Sequence, residues 1–253
     1  MGLSIVVASG KGGVGKTSVV AGLASCLAAL GSKTICVDGD AGLRNLDLAL
    51  GLQEQAVFDF NDVLLGRAAL KDALVSRSDI PRLQLLAAPA HTPASAVNPA
   101  AFSALIATLS EMADFVLVDC TAGLDTGFTL AANACAGAIV VTTPNQMALR
   151  DSARCAERLT GHSPVKLIVN RVQPRLIRLR HAYNIDEAMD TVGLPLLGIV
   201  PEDEMVSAAQ NHNIPLVLAS QKGAGAALCN IAERLMGREC RIPRRFREWK
   251  VEG

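Results

Sequence analysis

Leu3-Ser4-Ile5-Val6-Val7-Ala8, running into Ser9-Gly10-Lys11-Gly12-Gly13-Val14-Gly15-Lys16-Thr17, is the stretch that decides the fold. A short apolar run ends in a glycine-rich turn. The proline-free segment from Thr17 to Leu30, rich in helix formers, opens directly from that turn. Strand, loop and helix in this order make an anion cradle, because glycines let successive backbone N–H groups curl toward a polyphosphate and the first helical turn adds its own. Gly10, Gly12, Gly13, Val14 and Gly15 then surround the phosphates, with Ser18 just inside the helix. Lys16 reaches the β and γ groups and the Thr17 hydroxyl is set to ligate Mg²⁺. The expected cofactors are ATP and Mg²⁺.

Lys11 is the unusual element of the loop. A second ammonium at the entrance repels Lys16 unless a polyanion screens both. Lys11 is either a solvated surface lysine or a cation that reaches phosphates held by a neighbouring subunit. The second use makes ATP the joint of a face-to-face dimer.

Short apolar runs at 3–8, 33–38, 83–87, 115–118, 138–142, 166–169 and 196–200 alternate with helical stretches. Phe115-Val116-Leu117-Val118 and Ala138-Ile139-Val140-Val141 are apolar throughout, as strands are when helices cover both sheet faces. The fold class is therefore α/β: a three-layer, doubly wound, mainly parallel sheet with helices on both faces, of the P-loop NTPase kind. Helices are expected at 16–30, 59–65, 100–111, 126–134, 148–159, 184–192, 203–210 and 222–236. Asn98-Pro99 supplies a cap followed by a first-turn proline, and Asn184 with Glu187 a capping box. Ligands should gather beyond the carboxyl ends of the strands.

The 253 residues, half of them apolar, are read as one ATPase domain over 1–237 and a basic tail over 238–253. The tail has six Lys or Arg against three Glu, and Ile242, Phe246 and Trp249 can share a helical face, which suggests a weak amphipathic anchor for anionic lipid. Over the whole chain Lys plus Arg equals Asp plus Glu at 24 each, which gives no case for a nucleic-acid partner. Seven cysteines without a CxxC pair point to reduced thiols in a cytoplasmic protein and argue against a zinc or iron–sulfur centre. No apolar run approaches the roughly 20 residues of a spanning helix, so any membrane contact is expected to be peripheral.

Two further strand ends carry acids. Asp38-Gly39-Asp40 closes the second strand, with Asp38 expected in the magnesium shell and Asp40 expected to orient or deprotonate the attacking water. Asn45 is a candidate for the same water or for a dimer contact. Asp119 ends the run Phe115–Val118 and should accept from magnesium-bound water, while Gly123 lets the backbone approach the γ phosphate. Cys120 reads as a buried small residue rather than a nucleophile. For the base, the amide of Asn170, next to Arg171, suits the adenine edge, and Pro201-Glu202-Asp203 can cover the ring through its backbone.

With these residues in view, the chain resembles the deviant-Walker-A ATPases of the MinD/ParA family along almost its whole length. The resemblance is carried by Ser9–Thr17, by Gly42-Leu43-Arg44-Asn45-Leu46-Asp47-Leu48-Ala49-Leu50-Gly51, by Asp119–Gly123, by Arg150-Asp151-Ser152 and by Gly198–Asp203. It implies an ATP hydrolase that forms a homodimer on ATP, associates with the cytoplasmic face of the membrane and recruits the division inhibitor MinC. In many bacteria MinE-stimulated hydrolysis releases it. By the resemblance Lys11 crosses to the partner's phosphates, Asn170 reads adenine, and Arg150 and Asp151 lie near the dimer and partner-binding surface. The Gly42–Leu48 block, with Ala41-Gly42-Leu43-Arg44 after the second aspartate, separates the chain from ParA-type DNA-partitioning ATPases, and its Arg44–Leu48 part leans away from a related ATPase that controls flagellar number, the two alternative functions.

Overall fold

The computed structural model describes residues 1–41 and 44–240. The tail face expected of Ile242, Phe246 and Trp249 lies outside the described residues, as do Gly42 and Leu43. The strands are β1 (Leu3–Ala8), β2 (Thr34–Asp38), β3 (Val75–Arg77), β4 (Ile80–Leu86), β5 (Phe115–Asp119), β6 (Gly137–Thr142), β7 (Val165–Val172) and β8 (Leu196–Pro201). Helices are α1 (Lys16–Ala29), α2 (Leu46–Leu50), α3 (Phe60–Leu64), α4 (Leu70–Ala73), α5 (Pro99–Met112), α6 (Thr126–Ala134) and α7 (Gln146–Arg158). After them come α8 (Pro174–Arg178), α9 (Ile185–Val192), α10 (Glu204–Asn211), α11 (Leu216–Ala219) and α12 (Gly223–Leu235).

One sheet runs β3-β4-β2-β5-β1-β6-β7-β8, parallel except for the β3–β4 pair. Alternate residues of the strands other than β3 feed two cores. Val6, Val37, Val118 and Val140 face α3 to α9, whereas Val7, Cys36, Leu117 and Val141 face α1, α2, α10, α11 and α12. This is the expected three-layer, doubly wound architecture. Both predicted caps form: Asn98 accepts from Ala100 and Ala101 ahead of α5, and Asn184 and Glu187 make both bonds of their box at α9.

Three features depart from the sequence reading. β3 is too short to show a period of two, and pairs with β4 through a tight turn clamped by Arg77 and Asp79 at 2.7 Å. The helices α2, α4, α8 and α11 span only four or five residues, too few for a helical repeat to emerge. The expectation of seven reduced thiols is corrected: Cys26 on α1 and Cys229 on α12 form a disulfide across 203 residues, because both helices cover the same face of the sheet.

Candidate functional site: the phosphate loop and its carboxylates

β1 lies at the centre of the sheet, so the loop after it emerges where neighbouring connections diverge to either side. Gly13 and Gly15 have φ of +82° and +87°, a region closed to most side chains, and thereby turn the chain around the cradle. Gly10 is required for a different reason: a Cβ there would lie 2.2 Å from the backbone carbonyl of Asp151 on α7. α1 starts without a side-chain cap and without an acid in its first turn. Among the described residues, the N–H groups of Gly12, Gly13, Val14, Gly15, Lys16 and Thr17 have no protein acceptor. Such a run of converging donors at a helix N-terminus fits the phosphates of a nucleotide.

Lys16 is buried, and its Nζ donates to Asp119 Oδ1 at 2.5 Å. Burial works against the Lys16 charge, but Asp119 and its neighbours outweigh burial and hold the pKa above the ordinary value. Lys11, half-buried at the loop entrance, makes no ion pair among the described residues.

Asp38 and Asp119 end adjacent strands in register. Asp38 accepts from the N–H groups of Asp40 at 3.0 Å and Leu46 at 3.1 Å, so its carboxylate fixes the loop that carries Asp40. Burial and the nearby charge of Asp119 push the Asp38 pKa up to about 7. The Asp40 carboxylate is half-buried and accepts no hydrogen bond among the described residues, which leaves it free to face a water. Burial also raises its pKa, opposed by the charge of Lys16. Asn45 precedes α2 with an exposed side chain that does not cap it. Gly123, at φ +94°, donates to the Ser9 carbonyl at 3.0 Å and draws the loop after β5 onto the phosphate loop.

No group of three His, Cys, Asp or Glu side chains converges as a metal cage among the described residues. The donor set, one hydroxyl at Thr17 and carboxylates at Asp119 and Asp38, suits Mg²⁺ bound chiefly through phosphates and water.

The residues expected at the base come together. Asn170, Arg171, Pro201, Glu202 and Asp203 line a cleft with Gly15, Ser18 and Gln210. Asn170 is buried and donates through Nδ2 to the Val14 carbonyl at 2.8 Å, and Arg171 donates to Gly13 at 3.1 Å, so both brace the loop. Asp203 has its side chain committed to the N–H groups of Met205 and Ala224, which leaves only its backbone for a ring. Sequence reasoning missed Gln210, whose amide donates to Ser18 Oγ at 2.9 Å from α10, a contact with no local sequence signal. It also missed Asp125, which caps α6 and accepts from Thr121 within the loop after β5. The Asp125–Phe128 spacing was the available clue to that cap.

The CobQ/CobB/MinD/ParA nucleotide-binding domain model matches residues 5–216. The chain is 39% identical over 238 residues to the septum site-determining protein MinD of Synechocystis, covering 93% of this chain and 90% of that one. It is also 39% identical over 241 residues to MinD of Bacillus subtilis, covering 94% and 90%. Among solved structures, MinD in the MinC:MinD complex of Aquifex aeolicus superposes with a TM-score of 0.87 at 32% identity, over 95% of this chain and 98% of that one. MinD of Pyrococcus horikoshii, complexed with Mg-ADP, gives a TM-score of 0.83 at 31% identity, over 93% and 96%. Placed beside the free donors of the phosphate loop and the acids around Lys16, these likenesses show that the chain belongs to the MinD/ParA family, as a septum-site-determining P-loop ATPase that hydrolyses ATP with Mg²⁺.

Proposed function

We propose that this ATPase works as an ATP-gated dimer that binds the inner membrane surface and recruits a MinC-type septum inhibitor, with release through a MinE-type stimulator. The observation that carries the dimer is the Lys11 ammonium, unpaired among the described residues at the mouth of a loop that already has its own lysine. In a face-to-face pair Lys11 of each subunit reaches the other's phosphates, and the polyanion removes the repulsion between Lys11 and Lys16.

Within one subunit, the N–H groups from Gly12 to Thr17 hold the phosphates, and Lys16 exchanges Asp119 for the β and γ groups. Thr17, Asp119 and Asp38 would hold Mg²⁺ and its waters, Asp38 also fixing the Asp40 loop, and the metal would supply positive charge to offset what develops on the transferred group. Asp40 orients the attacking water and accepts its proton, helped by Asn45. Asn170, Arg171 and the backbone of Pro201, Glu202 and Asp203 form the base end. The association of MinD with MinC in the Aquifex complex supports the recruiting role. The basic tail from 238 onward is the proposed membrane contact.

Light scattering of the full chain tests the dimer. ATP with Mg²⁺ should double the mass and ADP should not, while Lys11→Ala should bind ATP yet stay monomeric. Equal dimerisation of Lys11→Ala and the parent would remove Lys11 from the trans role.

A further inference from the structure

Neutrality over the whole chain conceals a charged region. Residues 150–181 hold eight Lys or Arg against two acids. Its densest part is the segment joining β7 to α9, where Arg175, Arg178, Arg180 and His181 are all exposed and none enters an ion pair among the described residues. Ile177 is buried in the core and pins α8 inward, which turns Arg175 and Arg178 outward beside Leu179, itself 51% exposed. Arg180 has φ +55° and follows directly, and the chain then returns to the body through the Tyr183 N–H to Pro144 bond.

Beside this turn lies an open concavity of about 470 Å³ lined by Arg180, His181, Tyr183, Asn184 and Glu187. Asn184 Oδ1 and Glu187 Oε2 are already bound to N–H groups of the capping box. The side chains of Arg180, His181 and Tyr183 have no hydrogen-bond partner among the described residues, so the free groups here are mainly donors. An anionic phosphate fits that set.

We infer that residues 174–183 form a second contact with anionic lipid, separate from the tail: Arg180, His181 and Tyr183 take a headgroup phosphate, Arg175 and Arg178 add charge, and Leu179 enters the acyl boundary. The exposed leucine amid arginines favours a bilayer over a nucleic-acid backbone, which offers no apolar layer to receive it. The inference rests on the membrane contact proposed above. α8 begins three residues after Arg171, which touches Gly13, so this surface lies at the same sheet edge as the nucleotide site.

The test is sedimentation of the full chain, with ATP and Mg²⁺, on phosphatidylcholine vesicles with and without phosphatidylglycerol. Arg178→Ser/Arg180→Ser should weaken binding to the anionic vesicles by about tenfold or more at low salt. Arg178→Lys/Arg180→Lys should keep most of the binding, and Leu179→Asp should weaken what remains at high salt. ATP hydrolysis without vesicles should match the parent in all three, which reports an intact fold. If the parent binds and the Ser pair binds equally, this inference falls and the tail reading stands. If the parent binds no anionic vesicle, both fall. If the Ser pair loses affinity for a short DNA duplex but not for vesicles, the surface serves another polyanion and the lipid assignment is overturned.

Discussion

Lys16 and Asp119 neutralise each other beneath the phosphate loop, with side chains 6% and 1% exposed. Without nucleotide, this pair spares the site a buried unpaired charge. In the cycle proposed above, a phosphate would draw Lys16 away and so free Asp119 for the cation that accompanies it. Loss of either partner should therefore have different consequences. Lys16→Met should abolish ATP binding in calorimetry, whereas Asp119→Asn should still bind ATP and lose Mg²⁺-dependent phosphate release. Equal ATP affinity for Lys16→Met and the parent would contradict the exchange.

Asp38 gives a pH signature in protein free of nucleotide and Mg²⁺. Its pKa rises from 3.8 to about 7 on folding, through burial first and the charge of Asp119 second. Between those values the folded state holds a proton that the unfolded chain has released, so stability falls as pH rises and levels off above about 7. Relative to Asp38→Asn, the parent should gain thermal stability on acidification from pH 8 toward the unfolded value. Because the comparison is a difference of slopes, carboxylates that do not interact with Asp38 cancel, and the difference reports Asp38 together with its coupled neighbours Asp119 and Asp40. Parallel melting curves for the two proteins across that window would place the Asp38 titration elsewhere.

The fold was legible because its deciding signals are local. Val6 and Val7 point to opposite cores, yet both lie in one apolar run, as a strand covered on both faces requires. Asn98, Asn184 and Glu187 announce helix starts within four residues of themselves. The phosphate loop was legible for the same reason. What stayed hidden depends on pairing at long range. Nothing near Cys26 points to Cys229, nothing near Gly10 reveals the backbone of Asp151, and Lys16 meets Asp119 across 103 residues. The amide of Asn170 at a strand end suggests a group for adenine. Its position against Val14, which makes it also a brace of the loop, needed the sheet to be assembled.

That brace sets up a double substitution. A Cβ on Gly15 would lie 2.5 Å from Asn170 Nδ2, and φ at this position is +87°. Gly15→Ala should weaken ATP binding through both the contact and a backbone strain of about 1–2 kcal/mol. Asn170→Ala by itself removes the brace on Val14 and the group proposed for adenine, so it is the reference: on that background Gly15→Ala meets no Nδ2 and should cost only the strain. A double variant that binds ATP as tightly as Asn170→Ala alone would show that φ at Gly15 contributes nothing.

Asp40 should separate hydrolysis from binding. Its carboxylate accepts no hydrogen bond among the described residues, while its backbone N–H is held by Asp38, so the group is positioned by its main chain and left open at its acid end. Asp40→Ala should keep ATP affinity, which depends on the loop N–H groups and Lys16, and slow phosphate release by about 10²–10⁴-fold, the range for lost general-base help. The pH profile provides a second reading. Burial raises the pKa of Asp40 in the free protein despite the opposing charge of Lys16, and only the ionised form accepts a proton. On the acid side, kcat/KM should therefore fall through a midpoint above the ordinary carboxylate value, and Asp40→Ala should lose that limb along with the rate. An unchanged acid limb in Asp40→Ala would assign the titration to another group, and an unchanged rate would remove Asp40 from the chemistry.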